Sequence, residues 1–223
     1  MSDQISYARV KSDVESADSY SKRNQRKHAQ EMQMIAQALE LTKGLTKGLT
    51  KGVSTDVSRV LDAPCGVGRA TIWMAQQGLQ VTGIDLGDAA LELARKLAVD
   101  AGAAAKFESQ DIFALPYADK AFDATLCFRL LHHFESPELR TRLIREVCRV
   151  SGKYVLMSRI SPLSVTSLRR RVRLLLTGKP IKQYPVSAAE MHAEFAAAGF
   201  VPVGSTGRFA LFHSLQLQVY SRK

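Results

Sequence analysis

The sequence predicts an α/β protein on a doubly wound, mostly parallel sheet, because short apolar runs alternate with helical segments from residue 57 onward. A glycine-containing turn follows the first apolar run directly, as in a strand–turn–helix unit. Near the end, Leu215, Leu217 and Val219 alternate with glutamines, which is typical of an antiparallel strand with one wet face. With 223 residues, 46% of them apolar, we expect one domain on a seven-stranded sheet with an antiparallel carboxyl-terminal strand.

The amino-terminal part has a different pattern. Residues 1 to about 40 place apolar side chains at helical spacing among charged ones, which predicts a helical cap. A four-residue unit then repeats as TKGL, TKGL and TKGV over residues 42–53, and glycines at this spacing disfavour a helix. We therefore predict a cap and flexible linker over residues 1–56 and a single domain over residues 57–223.

The elements of that domain follow from hydrophobic periodicity and from turn residues. Strands are predicted at residues 57–61, 80–84, 105–109, 121–128, 154–158, 200–203 and 211–221. A turn and helix are predicted within residues 66–78, and further helices at residues 88–101, 137–150 and 188–198.

The net charge is +10, from 31 Lys and Arg against 21 Asp and Glu, which favours an anionic partner or surface. No carboxylate lies between Glu146 and Glu190, and this stretch holds a basic segment over residues 159–182. Its run SLRRRVRLLL, residues 167–176, is typical of a short helix on a lipid surface. The alternative is a solvated helix whose leucines pack on the domain. Nucleic acid is disfavoured because no aromatic residues are interleaved for base stacking.

The sequence lacks the features of membrane-spanning, secreted, disulfide-bonded and metal-binding proteins. No apolar run reaches the roughly 18 residues of a membrane-spanning helix, and the polar start lacks a secretory core, so we expect a cytoplasmic protein. The positive net charge is compatible with peripheral binding to the inner face of a membrane. The three cysteines, Cys65, Cys127 and Cys148, fit neither a disulfide framework nor a metal site, and we expect reduced thiols near the core.

The most informative run is VLDAPCGVGR, residues 60–69. A buried strand delivers Asp62, and Gly66 and Gly68 then let the backbone pass close to a ligand before a helix begins. Asp85 closes the next strand, where a carboxylate accepts hydrogen bonds from both ribose hydroxyls of an adenosine. A nicotinamide dehydrogenase uses a similar turn, but the early Asp62 and Thr71 at the third glycine position argue against it.

Further motifs follow in order: GIDL (83–86), QDI (110–112), LPYADKAFD (115–123), LLHHF (130–134) and REVCRV (145–150). Together with residues 60–69 they resemble the motifs of class I S-adenosylmethionine-dependent methyltransferases, in particular the small-molecule subset called type 11. The resemblance spans about residues 57–160 and implies a Rossmann-like fold with S-adenosylmethionine as cofactor. Pro64 departs from the family by replacing the first glycine of its first motif, and Ser151 departs from a Gly-Gly turn.

The resemblance also implies roles. Gly66 and Gly68 would line the methionine portion of the cofactor, Asp62 its amino group, Asp85 the ribose, and Asp111 the adenine. The full implied set of cofactor-binding residues is Asp62, Gly66, Gly68, Asp85, Leu86, Asp111, Ile112 and Phe128. For Asp85 and Asp111 the alternative is a structural cap of the following turn or helix.

On the acceptor side, His132 and His133 are candidates for a general base, because imidazole titrates near neutral pH. Two adjacent histidines on a helix cannot both face one site, so we expect unequal roles, and structural or binding roles are the alternative. Arg129, Arg169 and Arg170 are candidates for binding a small-molecule or lipid-like, anionic acceptor. The chain lacks an Asn/Asp-Pro-Pro-aromatic motif after the fourth strand, which argues against methylation of nucleobases. A non-catalytic module that binds S-adenosylmethionine and regulates a partner is the alternative function.

Overall fold

The computed structural model describes residues 25–43, 57–178, 183–207 and 215–223. The strands are β1 (Arg59–Asp62), β2 (Gln80–Asp85), β3 (Ala105–Ser109), β4 (Phe122–Cys127), β5 (Ser151–Ile160), β6 (Phe200–Gly207) and β7 (Leu215–Arg222). The helices are α1 (Gln25–Lys43), α2 (Arg69–Gln76), α3 (Asp88–Asp100), α4 (Pro137–Val150), α5 (Val165–Thr177) and α6 (Ala188–Ala197), with a 3-10 turn at Leu131–His133.

The seven strands form one sheet in the order β3-β2-β1-β4-β5-β7-β6. β1 to β5 run parallel, and β7 runs antiparallel between β5 and β6. The predicted fold, a mostly parallel seven-stranded sheet with an antiparallel carboxyl-terminal strand, is therefore confirmed. Because β1 and β4 are neighbours and run parallel, their carboxyl ends meet at one edge of the sheet, the usual position of a ligand crevice in such folds.

Alternate residues of each strand supply apolar clusters on the two faces of the sheet. Leu61, Cys127 and Met157 belong to the cluster that α4 and α6 cover. Val60 and Leu126, their neighbours in sequence, belong to a second cluster that includes residues of α1 and α2. Period-two alternation along buried parallel strands thus builds a core on each face.

Helix α4 shows how local sequence fixes an element that borders the site. Pro137 stands at the first helical position, and the Ser136 hydroxyl accepts a hydrogen bond from the Leu139 N–H. Leu143, Ile144 and Val147 recur at helical spacing and are buried. The helix therefore begins at the proline and ends at Val150, as the sequence predicts.

Helix α1, the described part of the predicted cap, packs on β6 and β7. Met34 and Ile35 are buried in the second cluster, and the Thr206 hydroxyl donates to the Met34 carbonyl over 3.0 Å. The Tyr154 hydroxyl donates to the Thr42 carbonyl over 3.2 Å near the other end of the helix. The cap is therefore bound to the sheet along its length.

Element bounds differ from the predictions chiefly at strand ends. β5 extends over Ser151–Ile160 rather than residues 154–158, because pairing with both β4 and β7 continues past the apolar run. Residues 1–24, residues 44–53 of the repeat, and residues 211–214 of the predicted last strand lie outside the described residues.

Cys127 and Cys148 are buried and Cys65 is half-buried, all as free thiols, as predicted. In the described part of the chain, each helix is too short or too polar to span a bilayer.

Candidate active site

The Asp85 carboxylate joins two loops at the carboxyl edge of the sheet. Its Oδ2 accepts the Gly66 N–H over 2.8 Å, and its Oδ1 accepts the Gly87 N–H over 3.1 Å. Asp85 is 2% exposed, so these charge-assisted bonds lie in a shielded environment. Each carboxylate oxygen has two lone-pair sites, which leaves room for a hydroxyl donor beside each backbone N–H.

Asp62 is held by a residue from the next helix. The Thr71 hydroxyl, in the first turn of α2, donates to Asp62 Oδ2 over 2.6 Å, and both side chains are buried. Thr71 therefore orients the carboxylate at the end of β1. The sequence shows the threonine only as a departure from a glycine pattern, and its hydroxyl is the signal of this role.

The glycines of the first loop serve different purposes. Both have left-handed backbones, with φ of 55° at Gly66 and 75° at Gly68. A Cβ at Gly66 would meet nothing within 4 Å, which fits a loop that borders a ligand crevice. A Cβ at Gly68 would lie 2.8 Å from the Phe107 ring, so packing already requires that glycine. The contact of Gly68 with the cofactor stays a prediction.

A third glycine, Gly83 in β2, has a structural role that sequence reasoning did not assign. A Cβ there would lie 2.8 Å from the Thr71 hydroxyl oxygen and 3.0 Å from the Cys65 Cβ. Because Thr71 orients Asp62, the small residue at position 83 keeps the first loop and the Asp62 carboxylate in place.

The other residues predicted to bind the cofactor lie near the ends of β2 and β4 and in the segment after β3. Asp111 is half-buried, and its Oδ1 accepts the Phe113 N–H over 2.9 Å, an Asx-type turn that fixes the carboxylate. Ile112 is buried in the core beside Ile84. Leu86 and Phe128 are half-buried at the ends of β2 and β4. Their contacts with a cofactor remain predictions.

The acceptor side begins at Arg129, just beyond β4. Its backbone has φ of 64°, and its N–H donates to the Ser158 hydroxyl over 2.6 Å. Its guanidinium donates to Glu31 of α1 over 2.5 Å. This ion pair joins the cap helix to the carboxyl edge of the sheet, and neither Glu31 nor Ser158 carried a sequence signal.

One turn before Glu31, His28 lies near the first loop. Burial, together with the positive charge of Arg69, lowers the pKa of His28, while Glu31 opposes this shift. The Arg69 side chain comes from the first residue of α2. The cap helix thus brings one histidine and one glutamate to the crevice edge.

The two candidate histidines lie in the 3-10 turn after β4 and differ in burial. His132 is 1% exposed and His133 is exposed, although their ring centroids are only 4.5 Å apart. The His132 carbonyl accepts the Tyr184 N–H over 2.8 Å, which ties this turn to the segment before α6. The two side chains therefore differ in access to solvent, and unequal roles and catalysis by either residue stay predictions.

The basic segment divides into buried and exposed parts. Arg159 does not belong to a surface patch, because its guanidinium is buried and donates to the Val186 carbonyl and to Gln216. Arg169 is exposed on α5, and Arg170 is half-buried. Burial and the charge of Arg173 lower the pKa of Arg170. Substrate binding by Arg169 and Arg170 stays a prediction.

Two other motif positions are structural. Asp123 accepts the Arg59 and Ser58 N–H groups at the start of β1, and these bonds lower its pKa although burial opposes them. Arg149 donates to the Leu115 and Tyr117 carbonyls and to Asp119, which holds the loop between β3 and β4.

Within the described residues, no three His, Cys, Asp or Glu side chains converge on a metal position.

The hydrogen-bonding groups of the crevice show whether S-adenosylmethionine fits there. Two buried carboxylates, Asp62 and Asp85, are fixed at the ends of the neighbouring strands β1 and β2, and the backbone at Gly66 borders open space. An ammonium group and ribose hydroxyls are the donors that such carboxylates bind. The sheet order and these carboxylates fit a class I S-adenosylmethionine-dependent methyltransferase.

Comparison with known proteins supports this class. Residues 60–153 match the family model for a methyltransferase domain. The ubiquinone biosynthesis O-methyltransferase of Nitrosospira multiformis is 34% identical over 94 residues, 42% of this chain and 39% of that protein. The Bordetella avium protein of the same name is 27% identical over 156 residues, 67% of this chain and 64% of its own length.

Among solved structures, magnesium protoporphyrin IX methyltransferase from Synechocystis PCC 6803, with bound SAH, has a TM-score of 0.70 at 18% identity. It covers 87% of this chain and 84% of its own. A methyltransferase structure from Methanosarcina mazei has a TM-score of 0.64 at 20% identity, over 75% of this chain and 93% of its own. Residues 60–153 therefore form a methyltransferase domain of the class I S-adenosylmethionine-dependent type. The chain spans less than two thirds of the length of the first curated relatives it matches.

Proposed function

We propose that this protein transfers a methyl group from S-adenosylmethionine to a small-molecule, lipid-like acceptor in the cytoplasm. The observation that carries the proposal is the Asp85 carboxylate, which joins the Gly66 and Gly87 loops beside the fixed Asp62. Such a preformed pair of carboxylates at the carboxyl edge of a parallel sheet suits an adenosine-containing cation.

Asp85 would hold the ribose hydroxyls, Asp62 the amino group of the methionine portion, and Asp111 the adenine amino group. When bound, S-adenosylmethionine supplies a methyl group on a sulfonium, so the cofactor provides most of the chemical drive. The chain therefore contributes alignment and exclusion of water rather than an elaborate set of catalytic groups. The packed helix α1 and the Glu31–Arg129 pair at the crevice edge support this assignment.

The acceptor class is inferred from two sources. The named relatives are a methyltransferase of ubiquinone biosynthesis and one that acts on magnesium protoporphyrin IX, both of which concern small molecules. In this chain, Phe128 and Arg129 stand together beyond β4. The Arg129 guanidinium uses Nη1 for Glu31, and we assign its other N–H groups to the acceptor. An amphiphilic acceptor with an anionic group fits this pairing.

A hydroxyl acceptor must lose a proton, and we assign this step to His133. Its exposed imidazole lies at the end of the 3-10 turn that follows β4, whereas His132 is buried and its carbonyl accepts the Tyr184 N–H. His133 would accept the proton at a ring nitrogen as the methyl group is transferred. His132 would act as a positioning residue.

Turnover separates this function from that of a non-catalytic module. The purified protein is incubated with methyl-labelled S-adenosylmethionine and fractionated lipid and metabolite extracts, and label is sought in organic-phase products. At a cofactor concentration below the wild-type Kd, we expect labelled product with the wild type and much less with Asp85→Asn, whereas Asp88→Asn, at an exposed residue of the same region, retains it. Tight cofactor binding with no labelled product from any fraction would favour the regulatory alternative.

A further inference from the structure

Helix α5 is fixed at its start and leaves the carboxyl edge of the sheet. It follows the end of β5 at Ile160 after a short loop. The Ser164 hydroxyl caps it by accepting the Ser167 N–H over 3.2 Å. The Ser167 hydroxyl donates to the Ser161 carbonyl over 2.6 Å, and all three serines are buried. These bonds fix the turn between β5 and α5 and so set the direction in which α5 leaves the carboxyl edge of the sheet.

The rest of α5 lies outside the core of the described residues. No side chain of Val165–Thr177 belongs to any of the buried apolar clusters in the described part of the chain. Leu174, on the other side of the helix, is 37% exposed. The other five large apolar side chains are exposed by between 42% and 84%: Val165, Leu168, Val172, Leu175 and Leu176. A helix with this many exposed leucines and valines is unusual for a soluble surface, where contiguous apolar patches mark interaction sites.

These five side chains share one face. At about 100° per residue they fall within an arc of about 100°, opposite the buried Ser167. We call this arc the α5 stripe. Arg169 and Arg173 are exposed along one border of the α5 stripe, one turn apart. The helix is thus amphipathic with its apolar face turned outward and guanidinium groups beside it.

Charge identifies the occupant of the α5 stripe. No carboxylate occurs in the sequence between Glu146 and Glu190, so nothing from this stretch neutralises Arg169 and Arg173. A protein partner would be expected to supply a defined set of carboxylates and a matching apolar surface. An anionic bilayer supplies a dense layer of negative charge above an apolar interior, which matches leucines flanked by arginines.

We propose that α5 docks this protein on an anionic lipid bilayer, with the α5 stripe in the acyl region and Arg169 and Arg173 among the headgroups. This surface goes beyond the proposed function and does not require catalysis. Helix α5 follows the carboxyl end of β5, at the same edge of the sheet as the crevice. Docking would therefore bring the mouth of the crevice close to a lipid-like acceptor in the membrane.

The test is co-sedimentation of the full chain with vesicles, without cofactor. One vesicle type contains phosphatidylcholine and phosphatidylglycerol in equal parts, and the other contains phosphatidylcholine alone. We expect wild-type protein to bind the anionic vesicles and to leave them at high salt. Arg169→Glu with Arg173→Glu should weaken binding at least about tenfold, and so should Leu168→Gln with Leu175→Gln and Leu176→Gln.

Matched variants control for net charge and for loss of an exposed apolar group. Lys96→Glu with Lys106→Glu gives the same charge change at exposed positions on α3 and β3 and should bind as wild type. Val99→Gln replaces an 80% exposed apolar residue of α3 and should also bind as wild type. Unchanged cofactor affinity in all variants shows that they are folded and keeps this test separate from the proposed function.

Three results would overturn the proposal. The first is wild-type protein that ignores anionic vesicles. The second is full vesicle binding by the triple leucine variant, which would mean that charge alone attracts the protein. The third is light scattering that shows a wild-type dimer converted to a monomer by the triple variant, which would make the α5 stripe a contact between copies of this chain.

Discussion

The contacts on the two sides of the crevice differ in how far apart the contacting residues lie along the sequence. On the cofactor side, Asp85 accepts N–H groups from residues two and nineteen positions away, and Asp62 accepts from a residue nine positions away. On the acceptor side, Arg129 pairs with Glu31, 98 positions away, and the cap is held to Thr206, 172 positions from Met34. The cofactor side is therefore determined by one short stretch of sequence, whereas the acceptor side depends on the folded chain as a whole.

This difference separates two kinds of change. Substitutions on the cofactor side alter a compact unit and should affect binding of S-adenosylmethionine whatever the acceptor. Substitutions on the acceptor side should leave cofactor affinity intact and change turnover or the position of the cap. Variants on each side therefore test whether cofactor binding and turnover depend on separate groups of residues.

The largest expected effect is on the acceptor side, at His133. If His133 is the base, His133→Gln should lower kcat/KM about 10²- to 10⁴-fold, and the dependence of the rate on pH near neutrality should disappear. His132→Gln should affect the rate much less but lower the free energy of unfolding, because His132 is buried. Cofactor affinity should stay unchanged in His133→Gln. Full activity in both variants would remove these histidines from the mechanism.

The next effect concerns the stability of the cofactor side. Gly68 and Gly102 both have left-handed backbones, so replacement by Ala strains each by about 1–2 kcal/mol. At Gly68 the new Cβ would also lie 2.8 Å from the Phe107 ring, whereas at Gly102 it meets nothing within 4 Å. Gly68→Ala should therefore cost about 1–3 kcal/mol more than Gly102→Ala in urea unfolding. Equal midpoints for the two variants would contradict the packing role of Gly68.

A smaller effect is expected for Asp85→Ala. Hydrogen bonds to a charged group contribute about 1.5–3 kcal/mol each, so cofactor affinity should fall at least about tenfold. Isothermal titration calorimetry measures this, with Asp88→Ala as the control at an exposed residue a few positions on. Wild-type affinity in a folded Asp85→Ala protein would refute the ribose assignment and with it the distinction between the two sides.

The smallest effect is the coupling between Glu31 and Arg129. The two side chains are 14% and 29% exposed, so a double-mutant cycle with Glu31→Gln and Arg129→Gln should give about 0.5–1 kcal/mol. A parallel cycle with Glu40→Gln, at an exposed residue further along α1, should give none. Hydrogen exchange should be faster in the first turns of α1 in Glu31→Gln. No coupling in the first cycle would mean that the cap is held by its apolar face alone.

The contrast in range also explains what the sequence could predict. The strand–turn–helix unit with Asp62, Gly66 and Asp85 was predictable because its contacts are local and its residue types follow from backbone geometry. The mostly parallel sheet and the exact bounds of α4 followed from periodicity and a proline. Glu31, Ser158 and the burial of Arg159 were not predictable, because each depends on an element far along the chain. A basic residue in a basic stretch gives no local sign that the fold will bury it.

The left-handed backbone of Arg129 has a consequence for how this site resists change. A non-glycine residue with φ of 64° carries about 1–2 kcal/mol of strain, and glycine would relieve it. Arg129→Gly would therefore recover in backbone relaxation roughly what it loses with the Glu31 pair, and overall stability would change little. The same substitution would still remove the Glu31 pair that joins the cap helix to the edge of the crevice. Stability measurements alone would therefore not reveal a change at this position, and the position of the cap has to be measured directly.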